Sequence, residues 1–430
     1  MKLSRICTPT VLLLAPVILS ALAWSIPGAS LFLRGFTAKA DLHFGGVIVL
    51  ACWYLLCALA LRLGMDFGKL KGPNPTTSAL YRSVHFERRF YIFLSLLAAV
   101  GVAYSLYLAQ SAGSIFSSLQ NQSGNELSQA LGGVGGVATL RYTTAIAAPI
   151  GIHLWRTGRA SFLSASWNIA LLMVNALFTS RLSLIMAFVV YILLLSIQDP
   201  ERRIKYRSLI LAGVLGFSLL GILNFFRNAN YYLSVGVHDP ISMNFYQILS
   251  YLGAPFQVSI QVAQAIFDGR YPSVGDPISS LRLLLPTFFQ NKSGIDYVTP
   301  DHFDHQVDVA GNLTTNSVFG DVYATFGSWG LAYALLTLFF SAVVYSQLSR
   351  YGPLLAASAG VVLYAIAEYW RIYLFNQGIV VYLLVAIFVA SRVALGSRGL
   401  PPTKVTTERM SHVPLSRTRD GGSSTGNTNS

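Results

Sequence analysis

Hydrophobic residues run along this chain in long segments separated by polar clusters, and this pattern predicts helices that cross a membrane. A membrane-spanning helix needs about 20 predominantly apolar residues. Ten segments fit that length, with approximate bounds 8–28, 44–64, 90–110, 137–154, 161–179, 182–198, 208–226, 325–347, 353–373 and 378–396. The pattern therefore predicts an all-α polytopic membrane protein with about ten transmembrane helices, in a range of roughly nine to twelve.

Composition and charge support a membrane location and suggest an orientation. Of the 430 residues, 53% are hydrophobic and only 11% are charged, against about 25% charged in soluble chains. Cytoplasmic loops retain Lys and Arg; placing the N-terminus inside puts 21 of the 30 basic residues in the cytoplasm. Both termini are then predicted to be cytoplasmic. Anionic inner-leaflet lipids balance much of the net charge of +13, so no nucleic-acid partner is expected.

The segments outside the spans divide the chain into a membrane domain, 1–398, and a polar tail, 399–430, which we predict to be disordered and cytoplasmic. One large loop, 227–315, is predicted to be external. It contains the apolar segments "ISMNFYQILSYLGAPFQVSIQVAQAIF" and "DPISSLRLLLPTFF", which we expect to form short helices that lie at the membrane surface or re-enter it. A loop of this length is typical of a lid or a substrate platform.

Ionisable side chains at the ends of the predicted spans are the best candidates for function, because such residues are costly inside a membrane. Six lie at predicted outer ends: Arg141, Arg181, Arg227, Asp321, Glu368 and Arg371. Each arginine alone could extend its side chain to the interface. Four together, on the side where positive charge is normally depleted, indicate an anion-binding site, since the guanidinium group suits phosphate. A lipid-linked substrate would carry such a phosphate.

The two carboxylates each have two interpretations. Glu368 and Arg371 are three residues apart and share a helical face with Tyr364; they form either a local ion pair or a site in which Glu368 accepts a proton from a substrate hydroxyl. Asp321 opens an apolar run and is either a helix cap or a functional acid. In the same stretch, Gly327 and Gly330 are expected to allow close helix packing.

Neither a metal nor a cofactor is expected. The segment "DHFDHQVD", 301–308, combines three carboxylates with two imidazoles, which predicts a solvated loop or a weak external cation site but no closed metal motif. The chain lacks a Gly-rich phosphate loop with an adjoining Lys, and its cytoplasmic loops are short. Cytoplasmic nucleotide hydrolysis is therefore not expected.

Three segments resemble bacterial oligosaccharide repeat unit polymerases, the Wzy-type O-antigen and exopolysaccharide polymerases. They are "TNSVFGDVYATFGSWGLAYALLTLFFSAVVYSQLSR", "TSRLSLIMAFVVYILL" and "NFFRNANYY". The first contains an acid-x-Tyr-x-x-Phe-Gly-x-x-Gly pattern, in which many members carry Glu where this chain has Asp321. The resemblance implies a GT-C-like glycosyltransferase membrane fold. It also implies transfer of a growing glycan from polyprenyl diphosphate to a sugar hydroxyl on another lipid-linked repeat unit, outside the cytoplasmic membrane.

The resemblance also implies roles for the candidate residues. Arg181 and Arg227 would hold the departing diphosphate, with Arg141 and Arg371 in support. Asp321 or Glu368 would be the base. Tyr251 and Tyr323 could stack on sugar rings, although aromatic belts at membrane interfaces are a common alternative. Expected partners are membrane lipid, the polyprenyl-diphosphate-linked oligosaccharide, and a chain-length regulator and flippase of the same pathway. The expected location is the bacterial inner membrane, with the site facing the periplasm.

Other functions remain open from the sequence. A related ligase, which would move a finished glycan onto lipid A, often uses an external His, and this chain has His43, His238, His302 and His305 outside the predicted spans. A lipid-linked glycan flippase or other transporter is a second alternative, although the internal repeat common in transporters is missing. A scaffold role is the third.

Overall fold

The structure is a computed structural model that describes most of the membrane domain. The described residues are 3–26, 41–70, 75–112, 137–178, 182–201, 232–234, 236–270, 317–376 and 378–396, with the isolated positions 214, 218 and 221. The predicted span 208–226 lies mostly outside these residues. The predictions for 271–315 and for the tail 399–430 lie outside them entirely.

Every regular element in these described ranges is a helix. In chain order they are α1 Leu3–Ile6, α2 Pro9–Ser25, α3 Phe44–Leu70, α4 Pro75–Tyr81, α5 Val84–Ala112, a 3₁₀ helix Val137–Thr143, α6 Thr144–Arg156, α7 Phe162–Phe178, α8 Leu182–Gln198, α9 Pro240–Phe267, α10 Val318–Phe326, α11 Trp329–Tyr351, α12 Pro353–Ser358, α13 Gly360–Ala367, a 3₁₀ helix Leu374–Asn376 and α14 Ile379–Leu395. All of these belong to one compact unit that ends at Leu395.

Among the residues that the structure describes, three helices are long and apolar enough to cross a membrane: Phe44–Leu70, Val84–Ser111 and Trp329–Tyr351. Shorter apolar helices, α2, α7, α8, α12 with α13, and α14, occupy the positions of other predicted spans. The all-helical architecture of the described part is compatible with an all-α membrane protein. The number of ten spans and the GT-C-like arrangement remain predictions.

Two predicted spans are interrupted near the ends that the sequence predicts to be external. The segment predicted at 325–347 is preceded by a separate helix, α10, and the chain turns at Gly327, whose φ of 57° favours glycine. The segment predicted at 137–154 begins as a 3₁₀ helix before it continues as α6. A Cβ at Gly330 would lie 2.8 Å from the carbonyl oxygen of Val322, so this glycine allows α11 to pack closely against α10.

Helix α9 is longer than the short helices that the sequence predicts at the membrane surface or re-entering it. It is 28 residues long and packs along α2 and α3. Asp239 caps its N-terminus by accepting a hydrogen bond of 2.7 Å from the backbone N–H of Ser242, and this bond holds the pKa of Asp239 below its usual range. Its placement at the membrane surface or as a re-entrant helix remains a prediction, while inside the protein it buries polar side chains against other helices.

Small residues bring α3 and α11 into backbone contact. Gly64 and Gly68 are four residues apart on α3, and they face Ala342 and Ser346, also four apart, on α11. A Cβ at Gly64 would collide with the carbonyl oxygen of Phe339, and one at Gly68 would lie 2.7 Å from the Ser346 Cβ. This matches the small-xxx-small pattern through which membrane helices associate.

Gly64→Leu is expected to destabilise the fold by about 1–3 kcal/mol or more, because the new side chain forces two packed backbones apart. Thermal unfolding of the purified protein in detergent measures the loss. The matched control is Leu63→Phe, on the exposed face of the same helix, which should leave the unfolding temperature nearly unchanged. Equal unfolding temperatures for Gly64→Leu and the wild-type protein would contradict the close contact of α3 and α11.

Loops that the charge distribution assigns to the cytoplasm lie together at one end of the helices. Arg350, at the end of α11, donates a hydrogen bond of 2.7 Å to the carbonyl oxygen of Lys69, at the end of α3. The rings of Tyr81 and Tyr351 are 5.2 Å apart. Arg159, before α7, pairs with Glu87, at the start of α5. The structure thus groups these loops as the predicted topology requires, while their compartment remains a prediction.

Candidate functional site

The most prominent charged pair in the described core is formed by Glu368 and Arg371, just after α13. Helical backbone bonds continue through this turn: the Arg371 N–H donates to the Glu368 carbonyl oxygen at 2.9 Å. Arg371 Nε donates to Glu368 Oε2, and the two residues are only 3% and 6% exposed. A buried pair of this kind contributes little net stability, so stability alone does not account for its presence.

Tyr251 of α9 completes this arrangement from a distant part of the chain. Its hydroxyl accepts a hydrogen bond from Arg371 Nη1, and the guanidinium carbon lies 4.1 Å from the centre of its ring. Trp370 gives a second, longer ring contact at 5.9 Å. A guanidinium has five N–H donors, and two of those of Arg371 donate to Glu368 and Tyr251.

Asp321 lies in the first turn of α10, and the structure tests one of its two predicted roles, that of the helix cap. The N-cap is Ser317, whose Oγ accepts the backbone N–H of Gly320 at 3.0 Å. Asp321 is therefore not the cap, although a carboxylate in the first turn still interacts favourably with the helix dipole. Asp321 and Tyr323 are both partly exposed. The role of Asp321 as a functional acid stays a prediction.

Helix α9 connects the ion pair with α10. Tyr251, which contacts Arg371, and Val258 are seven residues apart and therefore on the same face of α9. Val258 Cγ1 lies 3.6 Å from where a Cβ of Gly320 would stand, so Gly320 and its neighbour Asp321 are located beside this face. The two contacts are separated by about 10 Å along the helix axis. Both groups thus border the same strip of α9.

Aromatic side chains link the far end of α10 to the segment that carries the ion pair. Phe326 stacks on Tyr333 with ring centres 4.2 Å apart, and Tyr333 meets Tyr373 at 5.9 Å. Tyr373 follows Arg371 by two residues. These contacts fix α10, α11 and the Glu368–Arg371 turn relative to one another.

Arg141 lies in a different environment. It belongs to the 3₁₀ helix before α6, whose backbone packs tightly against Gly101 of α5. Its Nη1 donates to Ser105 Oγ at 3.3 Å, and its guanidinium lies 5.1 Å from the ring centre of Tyr142. Within the described ranges it has no contact with the Glu368–Arg371 pair. Its predicted role in substrate binding is neither supported nor contradicted by these contacts.

Arg181 and Arg227 lie outside the described residues, as does the segment 301–308. Among the residues that the structure describes, no group of three or more His, Cys, Asp and Glu side chains could hold a metal ion. The expectation of metal-independent chemistry remains a prediction.

Sequence reasoning missed the polar side chains of α9 other than Tyr251. Asn244, Gln247, Ser250, Gln257 and Ser259 are all buried. The signal that could have found them is their helical spacing over 28 residues, in a segment whose hydropathy alone favoured a surface location. Ser317 was also missed, although Ser before an apolar helix is a typical N-cap.

The assembled groups suit a ligand that has both an anionic and a hydroxyl-bearing part. Arginine presents donors to phosphate or to a developing oxyanion, and tyrosine rings stack on apolar faces of ligands while their hydroxyl groups bind polar atoms. The carboxylate of Asp321, next to Gly320 in α10, can accept a proton. Comparisons with protein-family models, with curated proteins and with solved structures find no match to this chain.

Proposed function

We propose that this protein is an integral-membrane glycosyltransferase that polymerises polyprenyl-diphosphate-linked oligosaccharide repeat units at the outer face of the bacterial cytoplasmic membrane. One observation carries the proposal. The buried Glu368–Arg371 pair is joined to Tyr251, on a helix face that also borders the start of α10, where Asp321 lies. The motif around Asp321 is the one that resembles the repeat unit polymerases.

The proposed reaction transfers a glycan between two lipid-linked molecules. The acceptor's sugar hydroxyl oxygen forms a bond to the anomeric carbon of the donor glycan, and the bond from that carbon to the diphosphate oxygen breaks. The hydroxyl proton passes to a carboxylate, and the polyprenyl diphosphate leaves with the bonding electron pair. The free energy comes from the diphosphate ester of the donor, so the reaction needs neither a nucleotide nor a further cofactor.

Within this proposal, Arg371 stabilises negative charge on the departing diphosphate, and Glu368 positions its guanidinium. Asp321 is the preferred base, because it is partly exposed whereas Glu368 is buried and bound to Arg371. Tyr251 and Tyr323 would contact sugar rings. Arg181, Arg227 and Arg141 would supply further phosphate contacts, as the family resemblance implies.

The proposed cellular setting follows from the same resemblance. Both termini would be cytoplasmic and the site would face the periplasm, where the flippase of the pathway delivers lipid-linked repeat units. A chain-length regulator would be a further partner. The basic loops grouped around Lys69 and Arg350 would then face anionic lipids of the inner leaflet.

The test is incubation of the purified protein, in detergent or nanodiscs, with lipid-linked repeat units extracted from the cells that make it, and without nucleotide sugars. Polymerisation predicts a ladder of products that differ by one repeat unit on a gel. In a parallel incubation to which lipid A is added, a single transfer to lipid A would identify a ligase instead. Movement of labelled lipid across a proteoliposome membrane without any new glycosidic bond would identify a transporter, and either result would overturn the proposal.

A further inference from the structure

Helix α9 carries two kinds of buried polar side chain. Gln257 and Ser259 are hydrogen-bonded inside the protein: Gln257 Oε1 accepts from Trp24 Nε1 of α2, and Ser259 Oγ donates to the Pro255 carbonyl oxygen at 2.7 Å. Gln247 and Ser250 differ. They are only 4% and 2% exposed, yet no hydrogen-bond partner contacts Gln247 Oε1 or Ser250 Oγ in the described part of the structure.

The unpartnered groups of Gln247 and Ser250 lie next to the candidate site, whereas a third unpartnered atom of α9, Gln261 Oε1, lies about three turns further along the helix. Gln247 and Ser250 are three residues apart and share a helical face. Gln247 precedes Tyr251 by one turn, and Ser250 is its direct neighbour. Tyr251 in turn binds Arg371. The unpartnered groups therefore adjoin the part of α9 that meets the buried ion pair.

Buried polar groups without partners are unfavourable, because they lose their bonds to water and gain none in exchange. Because Gln247 and Ser250 adjoin the candidate site, a ligand bound at that site can supply the missing bonds. The hydrogen-bonding properties of these two atoms limit the chemical class of the ligand. A carboxamide oxygen is an acceptor only, and an ionised phosphate has no proton to donate to it. The partner of Gln247 Oε1 must therefore carry a hydroxyl or N–H group, while the Ser250 hydroxyl can either donate or accept.

We infer that Gln247 and Ser250 bind hydroxyl or amide N–H groups of the sugar part of the substrate, adjacent to the diphosphate at Arg371. This inference rests on the proposed function and assigns different roles to two parts of α9. Tyr251 binds Arg371, and the helical turn before Tyr251 binds the sugar. The residues are binding residues that select the glycan. They are not required for the departure of the diphosphate.

The stability of two matched variants gives the first test. Gln247→Leu removes an unpartnered buried group and should leave the unfolding temperature in detergent equal to or above that of the wild-type protein. Gln257→Leu, ten residues further along the same helix, deprives Trp24 Nε1 of its acceptor and should lower the unfolding temperature. If Gln247→Leu lowers the unfolding temperature as much as Gln257→Leu does, Gln247 has a structural partner and the inference is wrong.

Binding of two probes separates sugar recognition from lipid recognition. The probes are undecaprenyl diphosphate without sugar and the lipid-linked repeat unit extracted from the producing cells. The double variant Gln247→Leu, Ser250→Ala should weaken binding of the repeat unit by about tenfold or more and leave binding of the sugar-free lipid unchanged. The control Ser259→Ala, whose hydroxyl donates only to its own helix, should bind both probes as the wild-type protein does.

The outcomes distinguish the two proposals. If the wild-type protein binds neither probe, the proposed function fails and this inference fails with it. If the wild-type protein binds both probes and makes the product ladder, but the double variant binds the repeat unit unchanged, only the inference fails. If the double variant binds both probes more weakly by the same factor, the two residues do not recognise sugar, and the inference is likewise wrong.

Discussion

Replacement of Arg371 by Leu is expected to cost both stability and activity, whereas replacement of the whole ion pair should cost activity alone. Arg371→Leu leaves the Glu368 carboxylate buried without its cation, which destabilises proteins by about 3–5 kcal/mol. The double variant Glu368→Leu, Arg371→Leu removes both charges, and such replacements are often neutral or stabilising. Its product formation should nevertheless fall by about 100-fold or more, because the diphosphate loses a preorganised donor.

The Glu87–Arg159 pair is a matched control. Glu87 is 2% exposed and pairs with Arg159, among the loops predicted to be cytoplasmic. Arg159→Leu should also destabilise the protein. The double variant Glu87→Leu, Arg159→Leu should have a stability and a turnover rate close to those of the wild-type protein. Unfolding temperatures and gel assays of chain length on the same preparations check both pairs. A fully active Glu368→Leu, Arg371→Leu enzyme would mean that the pair near α9 is only structural.

Asp321→Asn should leave the fold intact and reduce the turnover rate by about 10²–10⁴-fold, the range that a positioned acid–base group contributes. Asparagine has nearly the same shape, and the N-cap of α10 is supplied by Ser317, so the helix keeps its cap. Asp321→Glu retains a carboxylate and should keep part of the activity. Steady-state rates with the extracted repeat unit measure the change, and the KM for that unit should vary little.

Ser317→Ala is the control that separates the cap from the chemistry. Loss of an N-cap costs about 1 kcal/mol of stability, and the turnover rate of the folded protein should be close to that of the wild type. If Asp321→Asn turns over at the wild-type rate, Asp321 is not the base, and Glu368 becomes the remaining candidate. If Ser317→Ala and Asp321→Asn lose activity equally, the integrity of α10, and not a proton acceptor, explains both.

Long apolar runs made the helix positions predictable. The segment predicted at 182–198 coincides with α8, Leu182–Gln198, and those at 161–179 and 378–396 differ from α7 and α14 by one residue at each end. Contact with other helices and contact with lipid both favour apolar side chains. The apolar runs therefore predict these helices regardless of what each helix packs against. The breaks at Gly327 and at the start of α6 depend on local backbone geometry, which hydropathy does not predict.

The candidate site was predictable only in part. The spacing of Glu368 and Arg371 predicted their ion pair, because side chains three residues apart on a helix lie next to each other. The contact of Arg371 with Tyr251 joins residues 120 positions apart and depends on the packing of α9 along α2 and α3. That packing was hidden because α9 buries Gln and Ser side chains, and so resembles a surface helix when only its sequence is considered.

The most direct test of the proposed site is photo-crosslinking with a lipid-linked repeat unit that carries a photoactivatable group on its first sugar. After digestion, mass spectrometry locates the labelled peptides. We predict labelling of α9 around Gln247 and Tyr251 and of the segment that contains Glu368 and Arg371, with both labels displaced by excess unlabelled repeat unit. Labelling confined to the opposite end, around Lys69, Tyr81 and Arg350, or labelling that unlabelled substrate does not displace, would contradict it.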